Sequence, residues 1–335
     1  MAHLKWGILG AGRIAAKFAR GLASIPEEAT ALAIGSRSRE KAEEFAREHG
    51  VRRACGSYEE VLREAEVDAV YIALPNHLHA EWSINCAEAG KHVLCEKPVT
   101  MNASELENVL AVVKQRDVFF MEAFMYRCHP QWRKVREIIA AGAIGEVRAI
   151  HSSFAFNMGA RYEDCRMSNA MGGGGLMDVG CYCVSFSRLI AGEEPSEIHA
   201  AARLGERTGV DEYMAGVLKF PSGPVAYFSS AIQCNIPVAA KIHGSEGSIT
   251  ITAPWQPTDE NAFVLVSAGA GDGELYARHR IKTGRDLYAL EALTVAEHLD
   301  ERQAPAMSWE DSLGQMRTLD GLRASMGLSW EGERE

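Results

Sequence analysis

Gly10-Ala11-Gly12-Arg13-Ile14-Ala15 stands between a short apolar segment, residues 5–9, and a segment that sets Ile14, Phe18 and Leu22 on one helical face. A Gly-x-Gly-x-x-Ala turn in that context leaves few folds open. Gly10 permits the tight turn, Gly12 lets another group come close to the backbone, and small Ala15 lets helix and strand pack closely. The helix start at Arg13 and Ile14 then offers unpaired N–H groups and a partial positive charge, which is what a pyrophosphate requires. A glycine-rich turn without a ligand would show the same residues, so the rest of the chain has to decide.

The segments that follow alternate in type. Strand patterns at 30–35, 69–74, 92–95 and 118–121 are separated by helical patterns at 39–48, 58–63, 79–89 and 103–114. The run Ala69-Val70-Tyr71-Ile72-Ala73-Leu74, ended by Pro75-Asn76, is apolar throughout, as a strand buried on both faces must be. Strands and helices in alternation predict a parallel sheet covered on both sides. Beyond Arg127 the rhythm changes. One helix at 130–141 leads into strand patterns at 147–156, 197–203, 213–220, 225–232, 239–243 and 248–252, with turn signals at Pro221-Ser222-Gly223 and Gly244-Ser245-Glu246-Gly247. These predict a mostly antiparallel sheet, followed by helices at 288–300 and 309–326. The expected fold is therefore α/β: an N-terminal doubly wound Rossmann domain, residues 1–124, then an α/β domain with an open sheet, residues 125–335.

The net charge of −10 argues against nucleic-acid or acidic-membrane partners, which need a basic face. No run of apolar residues reaches the roughly 18 of a membrane span, and the chain enters its first strand without a signal-peptide pattern. Its eight cysteines are scattered without a C-x-x-C pair, so no metal site is expected, and reduced thiols in the cytoplasm are.

The end of the second strand bears on the choice of cofactor. Selection of NAD usually places Asp or Glu there for the ribose 2′-hydroxyl. This strand ends Ile34-Gly35-Ser36-Arg37-Ser38-Arg39, with no acid. A hydroxyl beside a guanidinium suits a 2′-phosphate, so NADP is expected, with NAD as a weaker alternative. Arg37 and Arg39 would equally serve as solvated loop residues before a helix.

Two further segments carry chemistry. In Gly90-Lys91-His92-Val93-Leu94-Cys95-Glu96-Lys97-Pro98, Lys97 falls at the carboxyl end of a parallel strand, the edge where open α/β sheets bind ligands. A lone lysine is otherwise more often solvated than catalytic. In Gly172-Gly173-Gly174-Gly175-Leu176-Met177-Asp178-Val179-Gly180-Cys181-Tyr182, a glycine run opens a helix on which Asp178 and Tyr182 share one face. A carboxylate and a phenol so placed suit substrate orientation and proton transfer. Taken alone, the fragment reads as readily as a helix-start acid and a core tyrosine.

Together these segments resemble the glucose–fructose oxidoreductase/inositol 2-dehydrogenase (Gfo/Idh/MocA) superfamily. The likeness rests on the Gly-x-Gly-x-x-Ala turn, Pro75-Asn76-x-x-His79, Gly90-Lys91-His92-Val93 and Glu96-Lys97-Pro98. It extends to Arg166 with its six-residue lead into the glycines, Asp178-x-Gly180, and Ile242-His243-Gly244-Ser245-Glu246-Gly247. Many members carry His four residues after the aspartate; this chain has Tyr182. That places it nearer the subgroup of glucose–fructose oxidoreductase, NADP-dependent D-xylose dehydrogenase and dimeric dihydrodiol dehydrogenase. The resemblance implies an active site between a Rossmann domain and a C-terminal domain whose sheet forms a homodimer or dimer of dimers.

It further implies hydride transfer at a carbinol carbon of a sugar or polyol, without metal. Lys97 is then the catalytic lysine and Asp178 orients the substrate. Tyr182 handles the hydroxyl proton, its phenol made more acidic by the Lys97 ammonium. The expected cofactor contacts are Gly10, Gly12, Arg13, Ile14, Ser36, Arg37, Leu74, Asn76, His79, Glu96 and Lys97. The expected substrate contacts are Phe154, Arg166, Asp178 and Tyr182. Asn157 is a further candidate, His77 a loop residue, and His151 and His243 structural ones. An aldose such as D-xylose is the expected substrate. A trans-dihydrodiol, reduction of a keto- or anhydro-sugar, and an NADP-binding sensor without turnover are the alternatives.

Overall fold

A computed structural model describes residues 3–269 and 274–331. They form two compact units, the first made of residues 3–128 with Arg285–Leu313, the second of His129–Gly284 with the residues from Gly314 on.

In the first unit, β1 (Leu4–Leu9), β2 (Ala29–Gly35), β3 (Arg53–Cys55), β4 (Ala69–Ile72), β5 (His92–Glu96) and β6 (Phe120–Ala123) make one sheet. Its order is β3-β2-β1-β4-β5-β6 and every pairing is parallel. This is the doubly wound order expected, and the strand order reverses between β1 and β4. The helices α1 (Arg13–Ala23), α2 (Arg39–His49), α3 (Tyr58–Arg63), α4 (His79–Glu88) and α5 (Ala103–Arg116) connect the strands. Phe18 of α1 stacks on Tyr71 of β4 with centroids 4.0 Å apart, and meets Trp6 of β1 edge-on at 5.1 Å. All three rings are buried, each worth roughly 2–3 kcal/mol of apolar transfer. The buried Tyr71 hydroxyl needs a partner and donates to Glu96 at the end of β5. The core thus reaches directly to the residue before Lys97.

The first unit also contains α8 (Leu287–Glu297), which packs on α1. An expected single boundary at residue 124 does not allow for this return of Arg285–Leu313. The sequence carries no signal for it, because an amphipathic helix does not name the face it covers. Trp309 Nε1 donates to the Phe120 carbonyl of β6, and Arg127 pairs with Asp311.

The second unit starts with α6 (Gln131–Ala140) and holds an eight-stranded sheet ordered β14-β13-β12-β11-β7-β10-β9-β8. Its strands are β7 (Val147–Ala155), β8 (Glu197–Leu204), β9 (Asp211–Lys219), β10 (Val225–Ala231), β11 (Ala239–Gly244), β12 (Gly247–Ile251), β13 (Phe263–Ala268) and β14 (Glu274–Arg280). Only β7 and β10 pair in parallel. Helix α7 (Cys181–Ala191) packs on β7 and β10. On β9 the burial alternates, Met214, Gly216 and Leu218 inward and Tyr213, Ala215, Val217 and Lys219 outward. Helix α9 (Trp309–Ser325) closes the chain's regular structure.

Two features depart from the sequence expectation. Residues 253–287 carry no strand pattern in the sequence reading, yet β13 and β14 lie there. The outermost strand, β14, carries exposed Leu275 and Tyr276 and charges at Glu274, Arg278 and Arg280, which conceals any alternation. The segment after the glycines is not α-helical at first: Leu176–Gly180 forms a π turn that runs straight into α7. Asp178 and Tyr182 therefore lie on two kinds of helix, and an α-helical spacing does not apply between them.

Candidate active site

The first unit gathers its candidate residues at the carboxyl ends of β1, β2, β4 and β5. Gly10 has φ +97°, and a Cβ there would meet the Ala73 carbonyl at 2.5 Å, so only glycine lets β1 turn this close to the end of β4. Gly10 N donates to Gly35 O at 2.9 Å, which ties the turn to the end of β2. A Cβ on exposed Gly12 would meet nothing within 4 Å. Gly12 caps α1 without a side-chain hydrogen bond, and Arg13 and Ile14 begin a first turn that has no acidic residue. An open approach, bare N–H groups and the positive end of a helix dipole fit a dinucleotide pyrophosphate.

Ser36 is buried at the end of β2, and its Oγ accepts from Ser38 N at 3.3 Å. Arg37 is exposed beside the Tyr58 hydroxyl, where its charge opposes the rise that burial imposes on that phenol. Arg39, by contrast, is held by Glu60 at 2.8 Å. Of the two arginines, Arg39 is thus committed to an ion pair with an acid, while Arg37 meets the Tyr58 phenol.

Leu74 is buried and Asn76 half-buried on the loop after β4. His79 is 1% exposed and clamps two loops, with Nδ1 2.8 Å from Pro98 O and Nε2 2.8 Å from Leu74 O. Burial pushes its pKa down to about 4, against the two carbonyls and with the help of the Lys97 charge. The neutral ring donates to one carbonyl at a time. His79 therefore acts on the backbone of Leu74 and Pro98. Its neighbour His77 is exposed.

Glu96 is buried and accepts from Tyr71 and, at 3.2 Å, from the Lys97 amide. The Lys97–Pro98 bond is cis, and Glu122 of β6 accepts from Val99 N at 3.1 Å. Lys97 itself is half-buried. A tyrosine, two buried acids and a histidine thus fix the backbone on either side of one lysine.

In the second unit, Arg166 sets Nε 2.9 Å from Asp178 Oδ2 and Nη1 3.1 Å from Asp164 Oδ1. The charge of Asp178, then that of Asp164, raises the Arg166 pKa further. Tyr182, 4% exposed, sits in an aromatic frame: Phe154 edge-on at 5.3 Å and Trp255 at 5.8 Å, those two rings stacked at 5.9 Å. Trp255 is tied by its Nε1 to Ser153 O at 3.3 Å. Asn157 is exposed and accepts from Gly159 N. His151 stacks on Tyr227 at 4.7 Å on the outer face of the sheet, and His243 lies on neighbouring β11. Trp255 escapes sequence reading, since a lone tryptophan between Pro254 and Pro257 gives no sign of its partner. Glu122 and Asp211, both fully buried acids, escape it too.

The fold and the dinucleotide turn define a nucleotide-dependent oxidoreductase, and the comparisons agree. Residues 4–124 match the oxidoreductase family with an NAD-binding Rossmann fold, and residues 132–250 match the GFO/IDH/MocA C-terminal domain. The chain belongs to the GFO/IDH/MocA family of oxidoreductases. It is 34% identical to D-xylose 1-dehydrogenase (NADP(+)) 2 of Haloferax volcanii, over 96% of this chain and 97% of that one. It is 37% identical to trans-1,2-dihydrobenzene-1,2-diol dehydrogenase of Xenopus tropicalis, over 76% and 77%. Its structure matches a 3-ketoreductase from Actinomadura kijaniata in complex with NADP, with a TM-score of 0.88 and 28% identity, over 96% and 98%. Among the described residues no helix is long and apolar enough to cross a membrane, and no cluster of three or more His, Cys, Asp or Glu is disposed to hold a metal.

Proposed function

We propose that the chain is an NADP-preferring dehydrogenase that oxidises a carbinol carbon of an aldose, D-xylose being the best single candidate. The observation that carries this lies in the second unit, where Arg166 pairs with Asp178 and Tyr182 is held in an aromatic frame, on an oxidoreductase fold. When bound, the nicotinamide would accept or supply the hydride. Gly12, Arg13 and Ile14 would hold the pyrophosphate, and Ser36 and Arg37 the 2′-phosphate. Leu74, Asn76, His79 and Glu96 shape the remaining wall. Lys97 donates to the reacting oxygen and stabilises negative charge there. Tyr182 takes the hydroxyl proton in oxidation and returns it in reduction. Asp178, oriented by Arg166, accepts from a further substrate hydroxyl, and Phe154 packs against the ring face. A xylose dehydrogenase relative that uses NADP supports the substrate class.

One observation favours a second reading. Phe154, half-buried beside Tyr182 and backed by the buried Trp255, offers an aromatic surface suited to a trans-dihydrodiol, the substrate named for another relative. Initial rates of NADPH formation with a panel of aldoses, cyclitols and a trans-diol separate the two. Turnover of one pyranose, much weaker with NAD, is expected. Turnover of the diol alone selects the second reading. NADP binding with no turnover in either direction, keto-sugars included, moves the reading to a sensor.

We also propose a homodimer, or a dimer of dimers, formed through the second sheet. Tyr213, Val217, Val225 and Tyr227 stand 37–44% exposed on one face of β9 and β10. Light scattering is expected to give at least twice the chain mass, and Val217→Lys with Tyr227→Lys to reduce it. The free thiols, Cys86, Cys95, Cys181 and Cys183 among the buried ones, accord with a reducing cytoplasm.

A further inference from the structure

Asp211 is fully buried, lies far in sequence from every residue assigned a catalytic or binding role above, and touches the segment that leads into two of them. Its place follows from an irregularity in the sheet. The register between β8 and β9 pairs Arg203 with Tyr213 but Leu204 with Asp211, so Glu212 is an extra residue in β9. A bulge of this kind re-aims the side chain beside it. Strict alternation from outward Tyr213 and inward Met214 would turn position 211 outward; the bulge turns it in.

What it meets there is the glycine run. Asp211 Oδ2 accepts from Leu176 N at 2.6 Å, and its carboxylate also takes the Gly175 amide. A Cβ on Gly174, whose φ is +107°, would meet Asp211 Oδ1 at 2.1 Å. The run is therefore glycine in part because a carboxylate lies against it. Leu176 begins the π turn, and neither Gly175 at its start nor Gly180 before α7 supplies a side-chain cap. The bare N–H groups of this helix start are met from the sheet instead.

We propose that Asp211 is a positioning residue, a cap supplied from a distant strand that fixes the Leu176–Gly180 turn and with it Asp178 and Tyr182. Gly174 carries the effect further, since its N donates to Arg166 O at 2.8 Å and its O accepts from Asp178 N at 3.1 Å. One carboxylate thus sets the backbone under Arg166, Asp178 and Tyr182 together. Burial pushes the acid up to about 7 against its backbone donors, and Oδ1 has no hydrogen-bond partner among the described residues. A half-satisfied buried acid is unfavourable in itself, which accords with a positional role rather than a stabilising one.

The role in catalysis rests on the dehydrogenase reading; the cap itself does not. Hydrogen exchange on the full-length protein compares wild type with Asp211→Ala and Asp211→Asn, the latter keeping an acceptor oxygen. Asp211→Ala is expected to speed exchange of the amides from Leu176 to Tyr182 at least tenfold, with β7 and β10 unchanged and Asp211→Asn close to wild type. With the pyranose turned over fastest, kcat of the Ala variant should fall at least tenfold while KM for NADP stays within twofold. Exchange at that segment unchanged, or raised alike throughout the second unit, overturns the proposal. So does a kcat loss that Asp211→Asn fails to rescue. Where Asp211→Ala does not fold, Asp211→Ser takes its place. If wild type oxidises no member of the panel, the dehydrogenase reading falls and exchange still decides the cap.

Discussion

Lys97, Tyr182 and Arg37 divide the proposed work between proton, charge and cofactor choice, and each division has a measurable consequence. Tyr182→Phe keeps the ring in its frame of Phe154 and Trp255 and removes only the hydroxyl. We expect kcat to fall by roughly 10²–10⁴, the usual worth of a positioned proton-transfer group, with NADP affinity unchanged. Near-normal turnover would remove Tyr182 from the mechanism. Arg37→Ala should raise KM for NADP by about 10–100-fold, the loss of a charge-assisted hydrogen bond, and leave that for NAD as it was. An equal change in both would show that Arg37 serves only the loop. At this scale the sequence was informative wherever a residue sits in a motif fixed to a strand end, as Lys97 does. It was silent on Trp255 and Asp211, whose roles depend on contacts between distant segments.

Among the elements, the π turn is where local geometry matters most. Gly174→Ala would place a methyl on a left-handed backbone and into Asp211 Oδ1. We expect a loss of at least about 2 kcal/mol, read as a lowered denaturation midpoint. A neutral result would mean the run adapts, and that glycine is not required there. The alternation of the first unit was legible because strands buried on both faces are apolar along their whole length, as 69–72 shows. The π turn was not, since α and π spacing differ by less than one residue per turn. Nor was the bulge at Glu212, because the position it inverts holds a polar residue on either face.

For the molecule as a whole, buried ionisable groups set the response to pH. Asp211 titrates near 7 in the folded chain against an ordinary value of 3.8. The folded state therefore holds the extra proton between those values, and stability falls as pH rises through that window. Asp211→Asn cannot ionise, so its stability relative to wild type should improve from pH 4 to pH 7. An upper bound is about 4 kcal/mol, from roughly 1.4 kcal/mol per pKa unit. Chemical denaturation at several pH values checks it; a constant difference would mean that the acid stays ionised throughout. His79 and His129, both pushed down to about 4 by burial, act oppositely. Unfolded chains take up those protons first, so stability is lost as pH falls from 6.5 toward 4.

The return of Arg285–Leu313 to the first unit bears on the order of events during synthesis. The ribosome delivers β1 to β6 early, but α8, which packs on α1, and Trp309, which holds β6, emerge only after the whole second sheet. A nascent chain of residues 3–128 has its full set of Rossmann strands with one helix uncovered. It must wait more than 150 residues for its cover, since the gap from Cys128 to Arg285 is 157 positions. Chains that expose apolar surface for so long depend on chaperones or on slow growth to avoid aggregation. The same topology means that a fragment ending at residue 128 lacks α8 and Trp309, which belong to its own compact unit.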